Sequence, residues 1–184
     1  MITRLSSQIA DFIRNNNDQA ASKEVLMFSI GIILNTLFVT LTVIGVSAIT
    51  GHFTNAVVIL FSYVVLRFVS GGMHLSTSTL CNAFSIGLFL ILVHLPVSYW
   101  YEGFIMNFIA AVIVLIYAPT QDMMQLNWFG PKYTIHFKII ALLIVLINFW
   151  IQSPTVAIAF LTQALTLLKP AYKFAELLKG GESQ

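Results

Sequence analysis

Long apolar runs separated by short polar breaks dominate this chain. The runs cover Val25 to about Ile49, Phe53 to about Val69, Asn82–Tyr101, Gly103–Ala118, Ile135–Ile151 and Pro154–Leu168. A helix needs about 20 apolar residues to cross a bilayer, within a range of roughly 17 to 25. The pattern therefore predicts an all-α, polytopic integral membrane protein with about six transmembrane helices. The fourth and sixth runs are short for a crossing, so either is expected to tilt, to thin the bilayer locally or to be re-entrant. Ahead of them, Ile2, Leu5, Ile9, Phe12 and Ile13 recur at helical spacing beside Arg4 and Arg14. Residues 1–24 thus read as an amphipathic cytoplasmic helix lying on the membrane surface, with a solvated tail as the alternative.

Composition agrees with a lipid environment. Of 184 residues, 58% are hydrophobic and 9% charged, and the mean hydropathy is +0.89. A soluble domain carries roughly a quarter charged residues, so this chain lacks the polar surface that water requires. The N-terminal stretch does not resemble a removable signal peptide, having no basic tip followed by a short apolar core. With no internal repeat and no low-complexity tract, residues 1–184 read as a single domain. A formal charge of +2 argues against nucleic acid as a partner.

Charge placement sets an orientation. With six crossings and both termini cytoplasmic, the inner segments hold Arg4, Arg14, Lys23, Arg67, Lys132, Lys138, Lys169, Lys173 and Lys179, which are all the basic residues of the chain. Glu102 is the single acid expected outside. So one-sided a distribution follows the positive-inside rule. It places the loop between the second and third runs, residues 70–81, in the cytoplasm.

That loop carries the chemistry. It reads Arg67-Phe-Val-Ser-Gly71-Gly72-Met-His74-Leu-Ser-Thr-Ser-Thr-Leu-Cys81-Asn82, and Cys81 is the only cysteine. A single cysteine excludes an internal disulfide and a thiolate-cluster metal site, and no cofactor is implied. A histidine within seven positions upstream would arise by chance about one time in seven, so the spacing is weak by itself. Residues seven apart on one continuous helix lie about 10 Å apart along its axis, too far for an imidazole to take a thiol proton. The helix must break, and Gly71-Gly72 followed by Ser76-Thr77-Ser78-Thr79 is a breaking sequence. Ser78 or Thr79 is then expected to cap the third helix and leave Cys81 in its first turn. A thiol there faces unpaired N–H groups and the positive end of the helix dipole, which favour the thiolate. The same groups suit the oxyanion of a tetrahedral intermediate. The alternative is an inert small cysteine beside a capping histidine.

The string Arg-x-x-x-Gly-Gly-x-His-x-x-x-x-x-x-Cys between two membrane helices resembles the signature of the accessory gene regulator B (AgrB) family. Chain size, the flanking apolar runs and Tyr117-Ala118-Pro119 after the fourth run extend the likeness. Members of that family are bacterial multi-pass cell-membrane endopeptidases that process the precursor of a quorum-sensing peptide. The resemblance implies His74 as general base and Cys81 as nucleophile, with Arg67 and Gly72, and Gly71 beside it, needed for the site. It implies a propeptide of the AgrD type as substrate, cut through an acyl-thioester on Cys81 and cyclised to a thiolactone or lactone. After Pro119 this chain departs from the lysine-rich loop of the family, which bears on the peptide recognised and not on the chemistry.

Other candidates are weighed singly. Arg67 either snorkels to headgroups or holds a substrate carboxylate. Asp122 is an exposed loop acid or the group that orients His74. Lys132, in the same loop, is a further candidate for substrate contact. His136 is read as interfacial. His94 lies thirteen residues beyond Cys81, about 20 Å along a helix, and cannot serve its thiol. Asn35, Asn107 and Asn148 are expected to be interhelical hydrogen-bond partners. There is no HExxH or GxSxG motif, and no acid within a run to support an aspartyl dyad or proton relay. Membrane lipid is an implied partner, and a homodimer is compatible with the sequence without being established by it. A non-catalytic scaffold or small transporter is the rival from another class.

Overall fold

The computed structural model describes residues 2–17, 19–73, 78–120 and 133–180. His74, Asp122 and Lys132 lie outside the described residues. Within them the chain is helical, with no strand. The helices are α1 (Ile2–Asn16), α2 (Lys23–Ile49), α3 (Phe53–Ser70), α4 (Ser78–His94), α5 (Phe104–Tyr117), α6 (Thr134–Ile151), α7 (Pro154–Leu165) and α8 (Lys169–Gly180). A π-helical turn, Tyr99–Gly103, leads directly into α5.

The all-α membrane architecture read from the sequence is present, and helix length does not confirm the count of about six crossings. Among the described residues four stretches are long and apolar enough to span a bilayer: Lys23–Ile49, Phe53–Ser70, Tyr99–Tyr117 and Thr134–Ile151. Helix α4 has 17 residues and α7 has 12. At 1.5 Å per residue they reach about 26 and 18 Å, against a hydrocarbon core of about 30 Å. Length therefore does not establish six crossings. The third run also ends earlier than its hydropathy suggests. Pro96, which lacks an N–H and restricts the residue before it, follows the end of α4 at His94. Tyr99 to Tyr101 accordingly begin the next helix.

Burial explains how α7 can be so short. Its Ala157, Ile158, Ala159, Phe160, Gln163 and Ala164 are all buried, so it meets protein rather than lipid. Alanines let the neighbouring backbones approach closely. Two core clusters meet on it. One joins Leu66 and Val69 of α3 to Ala110 and Val114 of α5, Val145 of α6 and Phe160 of α7. The other joins Val43 of α2 to Ile59 of α3, Phe89 and Val93 of α4, and Ile158 of α7. Ser153 starts the helix, its Oγ accepting from the Val156 N–H at 3.3 Å, with Pro154 in the first turn.

Two intramembrane amides behave as the sequence predicts. Asn148 Nδ2 donates to Asn107 Oδ1 at 3.1 Å, and Asn107 Nδ2 donates to the Val145 carbonyl at 3.2 Å. Asn148 Oδ1 accepts from the Ser153 N–H, and Tyr99 donates to the Asn148 carbonyl. This network ties α5, α6 and the start of α7 at one end of the bundle. His52 and His94 sit at that same far end, their ring centroids 4.5 Å apart.

The terminal helices lie at the opposite end. Helix α1 buries Ser6 and Ala10 and leaves Leu5 and Phe12 exposed. That exposed apolar edge beside Arg4 and Arg14 is the pattern of a surface-lying amphipathic helix. Lys23 at the start of α2 pairs with Asp11 of α1 at 2.6 Å, an exposed contact of small energetic weight. Hydropathy predicts no helix after Leu168, yet α8 forms there and sets Phe174 against Phe84 of α4, centroids 5.9 Å apart.

Candidate active site

Helix α3 stops at Ser70 because the next two residues leave the right-handed region. Gly71 has φ +74° and Gly72 has φ +136°, conformations that side chains oppose. The Gly71 N–H still donates back to the Arg67 carbonyl at 2.9 Å. Space is as restrictive as torsion at Gly72. A Cβ there would collide with Thr166 Oγ1, and would lie 3.1 Å from Arg67 Nη1 and 3.3 Å from Gln163 Nε2. The glycine pair breaks the helix as the sequence predicts, and the second glycine also lets α7 approach.

Arg67 is turned inward. Its Nη2 donates to the Met73 carbonyl at 2.7 Å, and its Nη1 reaches the Tyr63 hydroxyl and Gln163 Oε1, each at 3.4 Å. It therefore does not snorkel, because these contacts draw the guanidinium onto the backbone that follows the glycines. Gln163, fully buried on α7, completes the arrangement. Its Nε2 donates to the Gly71 carbonyl at 2.6 Å and to Ser70 Oγ at 3.1 Å. The Met73 N–H donates to the Thr166 carbonyl at 3.1 Å, and the Thr120 N–H to the Ser70 carbonyl at 3.0 Å. In a site away from water each of these polar groups needs a protein partner.

Beyond the loop, α4 starts at Ser78, so Ser78 and Thr79 belong to the helix instead of preceding it as caps. Cys81 is nevertheless in the first turn, as expected, with a free and half-buried thiol. It lines a cavity of about 230 Å³ bordered by α2, α3 and α4, with Met73 and Thr166 at its edge. Arg67, Tyr63, Met73, Asn35 and Asn82 line the same space.

The lining groups share a level. His94 Nε2 lies 2.9 Å from Thr50 Oγ1, which fixes the far ends of α4 and α2 together. Counted from that end, Cys81 is thirteen residues down α4 and Asn35 fifteen down α2, while Arg67 is fourteen below the start of α3. At 1.5 Å per residue these are about 20, 22 and 21 Å. The cavity therefore lies about 20 Å along the bundle from the histidine pair. His94 is remote from the thiol, as its sequence distance required. His136, at the start of α6 with its ring 5.8 Å from Tyr133, does not line the cavity.

Sequence reasoning missed Gln163, Thr166 and Tyr63 as parts of this site. Gln163 and Thr166 carry no signal near the loop in sequence, and Tyr63 looks like any aromatic residue of a membrane helix. The sequence predicts an interhelical partner at Asn35, yet its Oδ1 is buried with no hydrogen-bond partner. Among the described residues no three His, Cys, Asp or Glu side chains gather as a metal-holding group.

Comparison with known proteins rests on the whole chain. The sequence profile described as accessory gene regulator B matches residues 6–167. A protein of Halalkalibacterium halodurans described as AgrB-like is 26% identical over 193 aligned positions, covering 100% of this chain and 98% of the relative. The accessory gene regulator protein B of Staphylococcus carnosus is 27% identical over 146 positions, covering 77% of this chain and 76% of that protein. No solved structure matches. With the profile running from α1 through the end of α7 and taking in the Gly-Gly break, the Arg67 clamp and Cys81, the chain belongs to the accessory gene regulator B family.

Proposed function

We propose that this protein is a membrane cysteine endopeptidase that processes a propeptide of the AgrD type. His74 takes the proton from Cys81, and the thiolate attacks the carbonyl carbon of the scissile peptide bond. The Sγ–C bond forms as the carbonyl electrons move to oxygen, where N–H groups of the first turn of α4 can receive them. On collapse the C–N bond breaks, His74 returns its proton to the leaving amine, and the C-terminal fragment departs. The N-terminal fragment remains as a thioester on Cys81. A thiol or hydroxyl within that fragment then attacks the thioester, closing a ring and restoring the Cys81 thiol. Thiol–thioester exchange is nearly isoenergetic, whereas amide to thioester is uphill, so removal of the released fragment must draw the first step forward. The largely apolar lining of the cavity disfavours water at the thioester.

The observation that carries this reading is the shared lining of one cavity. Cys81, Arg67 and Met73 line it together, and His74 is the next residue of the sequence after Met73. The loop end of the bundle is taken as cytoplasmic, with both termini, because Arg4, Arg14, Lys23 and Arg67 lie towards it.

The test is processing of a linear propeptide by purified protein in proteoliposomes, followed by mass. A cyclised product weighs one water less than the hydrolysed one, which also distinguishes a cyclase from a plain hydrolase. Cys81→Ala and His74→Ala should each abolish product. Processing that survives Cys81→Ala would sink Cys81 as the nucleophile, and no processing by the native protein would leave a scaffold or transporter.

A further inference from the structure

We propose that Asn35 and Asn82 are the main-chain recognition groups of the Cys81 cavity, holding the peptide N–H groups that flank the scissile bond. The proposal rests on the peptidase reading above and adds the way substrate is held.

Five carboxamides are at least partly buried in the described bundle, and they divide cleanly. Asn107 Oδ1, Asn148 Oδ1 and Gln163 Oε1 each accept a hydrogen bond from a protein donor. Asn35 Oδ1 and Asn82 Oδ1 are buried and accept none. Both unpaired oxygens belong to residues lining the one cavity that contains the nucleophile. Asn82 is 7% exposed and follows Cys81 directly on α4. Asn35 faces it from α2, within about 3 Å of the thiol's level along the bundle.

A buried acceptor without a donor beside largely apolar walls is costly, so such pairs persist where a ligand supplies the donor. The cavity's chemistry narrows that ligand. Among the described residues no Asp or Glu lines it, so none of them offers a carboxylate to a cationic side chain. The Arg67 guanidinium is committed to Met73, Tyr63 and Gln163. What remains is a largely apolar wall, with residues such as Leu60 and Leu88, carrying two primary amides. A primary amide both accepts and donates, the complement of a peptide unit. An extended chain offers successive N–H groups about 3.3 Å apart. Two acceptors, one on α2 and one on α4, can therefore fix an uncharged stretch of backbone with its carbonyl over Cys81, which is the positioning that an acyl transfer needs.

The test separates binding from chemistry. A fluorescein-labelled linear propeptide of the AgrD type is titrated against Cys81→Ala protein in nanodiscs, with and without Asn35→Leu or Asn82→Leu. Each leucine should weaken binding about tenfold. With the native chain, replacing one substrate N–H near the cleavage point by an ester oxygen should lower kcat/KM about tenfold, and the matching leucine variant should show no further loss from that ester. Iodoacetamide labelling of Cys81 in the leucine variants should keep its native rate, showing an intact site. Unchanged binding in both leucine variants, or ester and leucine losses that simply multiply, would overturn the proposal and leave the two oxygens to cavity water. Processing by Cys81→Ala protein would instead overturn the peptidase reading, and the binding titration would still decide the role of the asparagines.

Discussion

Gln163 Nε2 donates to the carbonyl of Gly71 at 2.6 Å, across 92 positions of sequence. The same side chain meets Ser70 Oγ and Arg67, so one buried amide on α7 holds the end of α3, the glycine break and the arginine that reaches Met73. Residues 71–73, which follow α3, are thereby anchored from a helix that contains none of the signature residues.

Replacing Gln163 with leucine keeps the volume and removes every one of these bonds. The Gly71 carbonyl and the Arg67 guanidinium then lose a buried partner, at roughly 1–3 kcal/mol for each group left unsatisfied. Gln163→Leu should lower the unfolding temperature in detergent and reduce propeptide processing by more than tenfold. A variant with native stability and native turnover would show that the anchor is dispensable.

Gly72→Ala should fail for two separable reasons. The φ of +136° is a region that costs of order 1–3 kcal/mol for a residue with a side chain, and the new Cβ collides with Thr166 Oγ1. Adding Thr166→Ala removes the collision and leaves the torsional strain. The double variant should therefore regain part of the stability lost by Gly72→Ala, as read from thermal unfolding. Full recovery would mean that the torsion is harmless, and none that the collision is.

Arg67→Lys tests the fork geometry. A planar guanidinium serves Met73 through one nitrogen and Tyr63 with Gln163 through the other, which a single ammonium cannot do in the same place. Charge is retained, so a purely electrostatic role would leave processing intact. Loss of at least tenfold in kcat/KM, with Cys81 still open to iodoacetamide, is the expected outcome.

Asn148→Leu is the contrasting case. It breaks the bonds to Asn107, Ser153 and their neighbours at the far end of the bundle, with a cost of about 1–3 kcal/mol for each buried group left unpaired. Stability in detergent should fall, while kcat/KM per folded molecule stays within about twofold of native. A large loss of turnover in fully folded protein would tie the far end to the chemistry.

Much of this was legible in the chain, and the reasons are local. Apolar runs, the Gly71-Gly72 break and the amphipathic spacing from Ile2 to Ile13 each act within a few residues, so helical class, the interruption before α4 and the place of Cys81 in its first turn could be read directly. Other features were not local. Hydropathy alone does not separate a helix wrapped by lipid from one wrapped by protein, so Pro154–Leu168 looked like a final short crossing, whereas α7 is the buried centre of the bundle. Asn35 and Asn148 likewise look alike as single polar residues in apolar runs.

Residue order by itself determined the membrane environment, the helical class and the loop with its candidate nucleophile, because backbone hydrogen bonding in lipid and glycine torsion are settled within a short stretch of chain. Tertiary packing decided which polar residues acquired partners. It brought Gln163 and Thr166 onto the glycine loop, closed Asn107 against Asn148, and left Asn35 and Asn82 facing the Cys81 cavity with open acceptors. A hydrogen bond depends on where another helix comes to rest, and that position follows from the packing of the whole bundle.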